Sequence, residues 1–126
     1  MTESKGKVYI IGAGPGDPEL LTLKAKRIIE SSDLVIFADS LVPPQIVEFA
    51  KEGAQVIGSS ELNLDQIMEL ELNAVREGKI VARVQSGDPS IYGAILEQMR
   101  ILDAAGADFE IIPGVSAAFA AAAVLK

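Results

Sequence analysis

Residues Lys7–Ala25 read KVYIIGAGPGDPELLTLKA, and the order of residue types in this stretch decides the fold class. Lys7–Gly12 is β-branched and apolar, the profile of a strand covered on both faces. Gly12, Gly14 and Gly16 then interrupt it. Asp17-Pro18 reads as a helix start, because Asp accepts from the first free amides and Pro fits the first helical position. Strand, glycine loop and helix also open a dinucleotide-binding unit, whose G-x-G-x-x-G loop sets a pyrophosphate on the helix N-terminus. Here Gly12 and Gly14 keep that register, but the third position is Asp17. The carboxylate puts negative charge where a pyrophosphate would sit, and Pro15 removes an amide donor. The loop therefore suits a neutral or cationic ligand better. Taken alone, it is equally a simple chain reversal.

The same alternation continues along the chain. Helix is expected over Pro18–Ser31, with Leu20, Leu21, Leu23, Ile28 and Ile29 inward. Strands are expected at Leu34–Ala38, Ala54–Gly58, Lys79–Val84 and Asp108–Ile112. Between them fall a short helix from Pro43-Pro44, a helix over Asn63–Glu77 and another over Tyr92–Ala105, before a final Ala-rich segment, Ala117–Lys126. Asn63 with Gln66 three residues on has the form of a capping box. Five strands alternating with helices predict an α/β, three-layer domain: a five-stranded parallel sheet with helices on both faces. In such sheets ligands bind beyond the carboxyl ends of the strands. The loops after strands one, two, four and five are the places where chemistry is expected.

The chain has 126 residues, 49% of them hydrophobic, with no Trp, no Cys and no His, and a net charge of −7. The length is enough for one domain with its own core. Without Cys or His there is no thiolate nucleophile, imidazole base, disulfide or Cys/His metal site, and no metal is expected. The negative balance argues against nucleic acid and anionic membrane as partners. No apolar run is long enough to span a bilayer and no leader-like start is seen, so the expected compartment is the cytoplasm.

Two further loops echo the first. After strand four stands SGDPSIYG, Ser86–Gly93, again glycine, Asp, Pro, then helix. Gly87 permits close backbone approach, and Asp88 suits either a helix cap or an acceptor for a ligand amine or hydroxyl. After strand five stands PGVSA, Pro113–Ala117, where Ser116 is either a cap or a ligand contact. Strand two is followed by FADSLVPP, in which Asp39 is the best-placed general base in a chain without His. The ordinary alternative for each acid is a loop cap.

Taken together, VYIIGAGPGDPELLTLKA, FADSLV, VARVQSGDPSIYGAILEQ and IIPGVSAAFAAAA resemble, in order and spacing, the tetrapyrrole (corrin/porphyrin) methylase family. Within it the resemblance is greatest to the branch that methylates (cobalt-)precorrin-4 at C11 in cobalamin biosynthesis, on the strength of ADSLVPP and GDPSIYGAILEQM. The resemblance implies an S-adenosylmethionine-dependent methyltransferase acting on a tetrapyrrole. Carried over by motif, it implies cofactor-binding roles for Pro15, Ser86, Gly87, Asp88, Ile91, Ser116 and Ala117, and a catalytic base at Asp39. Two places depart from relatives: Ser59 follows Gly58 where a related methylase has a lysine, and Gln85-Ser86 stands where HT often precedes GDPS. Family members are about twice this length, so residues 1–126 are expected to form a single domain equivalent to the N-terminal half. The apolar Ala117–Leu125 segment adds the expectation of a homodimer, and Lys24, Arg27 and Arg83 are the cations available to substrate carboxylates. The competing reading from another class is a non-catalytic half-domain that self-associates or binds a partner. A nicotinamide-dependent enzyme is disfavoured by Asp17.

Overall fold

The computed structural model describes residues 5–91 and 95–126. Five strands, β1 (Lys7–Gly12), β2 (Leu34–Phe37), β3 (Gln55–Gly58), β4 (Ile80–Gln85) and β5 (Phe109–Ile112), form one sheet in the order β3-β2-β4-β1-β5. Every pairing is parallel. All five carboxyl ends therefore lie along one edge. The helices are α1 (Leu23–Ser31), α2 (Pro44–Val47), α3 (Leu64–Arg76), α4 (Leu96–Ala104) and α5 (Ala117–Leu125).

The strand order sorts the helices. The first two crossovers step toward the β3 edge and the next two step back toward β5. Right-handed crossovers then put α1 and α2 on one face and α3 and α4 on the other. The packing agrees. Ala25, Ile28 and Ile29 of α1 and Ile46 of α2 pack with Ile11, Val35, Ala82 and Val84. Ile67, Met68 and Ala74 of α3 and Leu102 of α4 pack with Val8, Ile10, Ile36 and Val81. Alternate strand residues serve opposite faces, as a sheet covered on both sides requires. β1 and β4 are neighbours whose outgoing connections leave to opposite faces, which opens a crevice between their carboxyl ends.

Three expectations need correction. The segment Pro18–Ser31 is not one helix: a 3-10 turn, Pro18–Leu20, ends at Leu21, and α1 begins afresh because Thr22 Oγ1 captures the Ala25 amide at 3.1 Å. That break turns Leu20 and Leu23 outward, Leu23 being 85% exposed, and leaves Ala25, Ile28 and Ile29 to face the sheet. The expected helix over Tyr92–Ala105 runs from Leu96 to Ala104, and its first residues lie outside those described. The last correction concerns Arg83, expected to be available to substrate carboxylates, which sits with other polar side chains inside the core on the α3 face of the sheet. Glu71 is fully buried and Arg83 and Gln98 nearly so. Arg83 Nη1 donates to the Ile36 carbonyl at 3.3 Å, while both Glu71 carboxylate oxygens lack a hydrogen-bond partner. Burial pushes the Glu71 carboxyl up to about 7 against the opposing pull of Arg83, and burial also lowers Arg83. Desolvation outweighs attraction at both ends, the common outcome for a buried pair without close hydrogen bonds.

Candidate functional site

The loops after β1 and β4 are tied to each other. Gly14 N–H donates to the Gly87 carbonyl at 3.2 Å and Gly87 N–H donates back to the Gly14 carbonyl at 2.8 Å, a short antiparallel bridge beyond the parallel sheet. Ala13 N–H donates to the Gln85 carbonyl at 2.7 Å just before it. Both glycines are left-handed, Gly14 at φ +73° and Gly87 at +61°, a region most other residues avoid. The β5 loop joins them. A Cβ on Gly12 would lie 2.4 Å from the Gly87 carbonyl oxygen and 2.9 Å from the Gly114 nitrogen, and one on Gly114 would lie 2.4 Å from that same oxygen. Three chain reversals thus converge on one carbonyl, and hydrogen in place of a side chain is what lets them.

Asp88 braces this junction. One carboxylate oxygen accepts from Ser90 N–H at 2.8 Å and the other from Gly114 N–H at 3.4 Å, so it caps its own turn and reaches the β5 loop. Ser116 caps α5, accepting from Ala118 N–H at 3.2 Å. A Cβ on Gly87 would meet only Ala117 N, at 3.9 Å, so the open side of Gly87 faces the start of α5. Pro15 is exposed, and Ser86 and Ile91 are half-buried near the same junction. Asp17, by contrast, is spent as a cap, accepting from Glu19 N–H at 2.9 Å.

Asp39 stands one strand away, beyond β2, with both oxygens held by Ser60. Those bonds, the Ser60 amide first and its hydroxyl second, keep its carboxyl below the usual carboxylate range. The β1 and β2 loops adjoin, since a Cβ on Gly16 would lie 3.7 Å from Pro43. Six of the sequence-derived positions, Pro15, Ser86, Gly87, Asp88, Ser116 and Ala117, belong to loops that meet at this junction. Ile91 follows within a turn, its N–H donating to the Asp88 carbonyl at 3.3 Å, and Asp39 lies to the side.

The cations expected to meet substrate fare differently. Arg83 is buried, and Lys24 pairs with Glu110 at 2.7 Å, which also takes Lys7 at 3.1 Å. Sequence reasoning missed Ser60 and the buried amide of Gln85, whose side-chain oxygen has no partner at the end of β4. Only the position of Gln85 as a departure from relatives hinted at it. A second depression, lined by Asp33, Gln55, Asn73, Glu77 and Lys79, lies at the opposite edge of the sheet. Asp33 is already committed there to Lys51 at 2.8 Å and to the Ile80 amide at 2.9 Å. No helix among the described residues is long and apolar enough to cross a membrane.

The profile of the tetrapyrrole (corrin/porphyrin) methylases matches residues 7–126. The chain belongs to the tetrapyrrole methylase family. It is 51% identical to a cobalt-precorrin-4 C(11)-methyltransferase of Methanocaldococcus jannaschii over 98% of this chain and 48% of the relative. It is 52% identical to a precorrin-4 C(11)-methyltransferase of Pseudomonas aeruginosa over 94% of this chain and 47% of the relative. An X-ray structure of a cobalt-precorrin-4 methyltransferase superposes with a TM-score of 0.90 at 48% identity, covering 94% of this chain and 49% of that one. Uroporphyrin-III C-methyltransferase of Thermus thermophilus, solved with S-adenosylhomocysteine, gives 0.78 at 36% identity over 92% of this chain and 48% of that one. This tetrapyrrole methylase chain thus spans about half the length of the relatives it matches.

Proposed function

We propose that this chain contributes one wall of the active site of an S-adenosylmethionine-dependent methyltransferase that methylates (cobalt-)precorrin-4 at C11 in cobalamin biosynthesis. The observation that carries this is the junction at Gly12, Gly87 and Gly114: three loops close-packed on the Gly87 carbonyl beyond the crevice between β1 and β4, with Gly87 alone of the three facing open space, in a chain about half identical to precorrin-4 methyltransferases. The fit to the cofactor is chemical. The loops that meet there carry backbone carbonyls, the hydroxyls of Ser86 and Ser116 and the carboxylate of Asp88, acceptors suited to a cationic sulfonium and an ammonium group. The open side of Gly87 is where a Cβ would intrude on a ligand. Pro15, Ser86, Gly87, Asp88, Ile91, Ser116 and Ala117 would hold the cofactor, Asp88 by keeping the β4 and β5 loops in register. Remaining contacts come from the part of the relatives that this chain does not span, and we propose that residues 1–126 correspond to the N-terminal half and are not competent alone.

When bound, S-adenosylmethionine supplies a methyl group on positively charged sulfur. A nucleophilic carbon of the macrocycle would take that methyl group, the carbon–sulfur bond breaking with its electron pair left on sulfur, so that the positive charge would pass to the macrocycle. Such a displacement asks the protein for alignment and a dry cleft more than for strong acids or bases. That explains how a chain without His or Cys serves. A macrocycle made cationic by methylation would give up a proton from a ring N–H or a neighbouring bridge carbon readily, so an ionised Asp39, though a weak base, would suffice to take it. The proposed compartment is the cytoplasm and the proposed protein partner a second copy.

The test uses the full gene product with a precorrin-4 substrate. Asp39→Asn is expected to slow methyl transfer while leaving S-adenosylhomocysteine affinity close to that of the unsubstituted protein, since a group needed after the ground state lowers turnover rather than binding. An unchanged rate would return Asp39 to a loop cap. No transfer by the unsubstituted protein, despite cofactor binding, would favour the non-catalytic module, to which the exposed apolar α5 lends its support.

A further inference from the structure

Both carboxylate oxygens of Asp39 are held from the loop after β3. The Ser60 amide donates to Oδ1 at 2.8 Å and the Ser60 hydroxyl donates to Oδ2 at 2.9 Å. The carboxylate lies against Gly58, where a Cβ would fall 2.6 Å from its Cγ and Oδ2. Gly58 clears the space and Ser60 fixes what occupies it. We propose that Ser60 is a positioning residue for Asp39 in methyl transfer, a two-point clamp that sets the carboxylate over Gly58 before substrate arrives. This rests on the role given to Asp39 above.

Three physical points support the clamp. An exposed Asp with two free torsions samples several rotamers, and freezing them is a cost that the Ser60 bonds meet in advance. Each carboxylate oxygen has a second lone-pair direction, so two bonds from Ser60 leave acceptor capacity for a proton or a ring N–H. Both bonds also favour the ionised form, in line with the lowered carboxyl. No lysine or arginine pairs with Asp39 among the described residues, and the neighbouring acid on the β3–α3 loop, Glu61, is exposed. Beyond Asp39 itself, the β2–α2 loop offers only Ala38, Ser40, Leu41, Val42 and Pro43. Ser60 is thus the main lever on this group. It also falls one residue after Ser59, where a related methylase carries lysine.

The experiment pairs Ser60→Ala, which removes the hydroxyl but keeps the amide, with Ser60→Thr, which keeps both. In the full gene product, the Asp39 carboxyl is followed by carbon NMR against pH, and the methyl-transfer rate is profiled on the same samples. Ser60→Ala is expected to move the Asp39 midpoint upward, to move the acid limb of the rate profile with it, and to slow transfer roughly ten-fold or more through misplacement of the base. Ser60→Thr is expected to restore all three. An Asp39 midpoint that stays put in Ser60→Ala overturns the proposal. So does a rate profile that ignores a midpoint that moves, because the clamp is then only a loop tie. If the unsubstituted protein binds cofactor, shows the low Asp39 midpoint and transfers no methyl group, the proposed function fails and takes this role with it. The clamp itself survives that outcome, which keeps the two failures distinct.

Discussion

At the scale of single residues, two glycines of the same junction carry different burdens. Gly12 is hemmed in: a Cβ there would sit 2.4 Å from the Gly87 carbonyl oxygen, 2.7 Å from the Pro89 ring and 2.9 Å from the Gly114 nitrogen, and the two backbone atoms cannot move without opening a loop. Gly87 has free space and a left-handed φ of +61°. Gly87→Ala is therefore expected to fold, to lose about 1 kcal/mol of stability from the backbone alone, and to weaken S-adenosylhomocysteine binding because its methyl projects toward the start of α5. Gly12→Ala is expected to cost more stability than Gly87→Ala. Denaturant midpoints together with calorimetric affinities check this; a Gly87→Ala variant with unchanged affinity would reduce Gly87 to a turn residue. Chain-local chemistry made several of these residues legible. Gly-Asp-Pro signals a turn and a cap wherever it occurs, and Asp17, Asp88 and Ser116 all cap. The contact between Asp39 and Ser60 was not legible, because it joins residues 21 apart across two loops whose adjacency only the sheet order creates.

At the scale of elements, the buried polar side chains of α3, α4 and β4 set a pH dependence. Nothing in LDQIMELELNAVR distinguishes Glu71 from Glu69 by residue type. The helix phase that buries Ile67, Met68 and Ala74 also buries Glu71. In the folded state its carboxyl keeps a proton up to about 7, against an ordinary value of 4.5. The folded protein therefore binds a proton that the unfolded chain has released. The associated stability is fully present below about pH 4.5 and is lost as pH rises toward 7, by roughly 3 kcal/mol across the window. Asp33 and Glu110, held low by Lys51 and by Lys24 and Lys7, act oppositely and only in more acidic solution. Denaturation midpoints are thus expected to fall between pH 5 and pH 7.5, and Glu71→Gln is expected to flatten that fall. A midpoint that stays level in the unsubstituted protein would show that Glu71 ionises normally. The α1 boundary was illegible for a related reason: PELLTLKAKRII is periodic throughout, and only the competition between Asp17 and Thr22 for free amides splits it.

At the scale of the molecule, the alternation of strands and helices was enough to give a parallel sheet with its loops on one edge. The strand order β3-β2-β4-β1-β5 was not, because each helix covers its face whichever strand it returns to. That order is what brings the first and fourth loops into hydrogen-bond contact. The Ala-rich α5 shows the cost of reading one domain alone: Phe119, Val124 and Leu125 are 73%, 80% and 82% exposed. Apolar surface of that kind is expected to be covered, and a second copy is the simplest cover. Light scattering over a dilution series should show a dimer at tens of micromolar; a monomer throughout would remove the proposed partner. The central claim, that a cofactor site is built at the Gly14–Gly87 bridge, is tested most directly by titrating S-adenosylhomocysteine into the protein and following its amide resonances. Gly14, Gly87, Asp88, Ser116 and Ala117 are expected to shift together while Asp33, Asn73 and Lys79 at the opposite edge stay still. Shifts confined to that opposite edge, or none at the bridge with ligand at millimolar concentration, would contradict that claim.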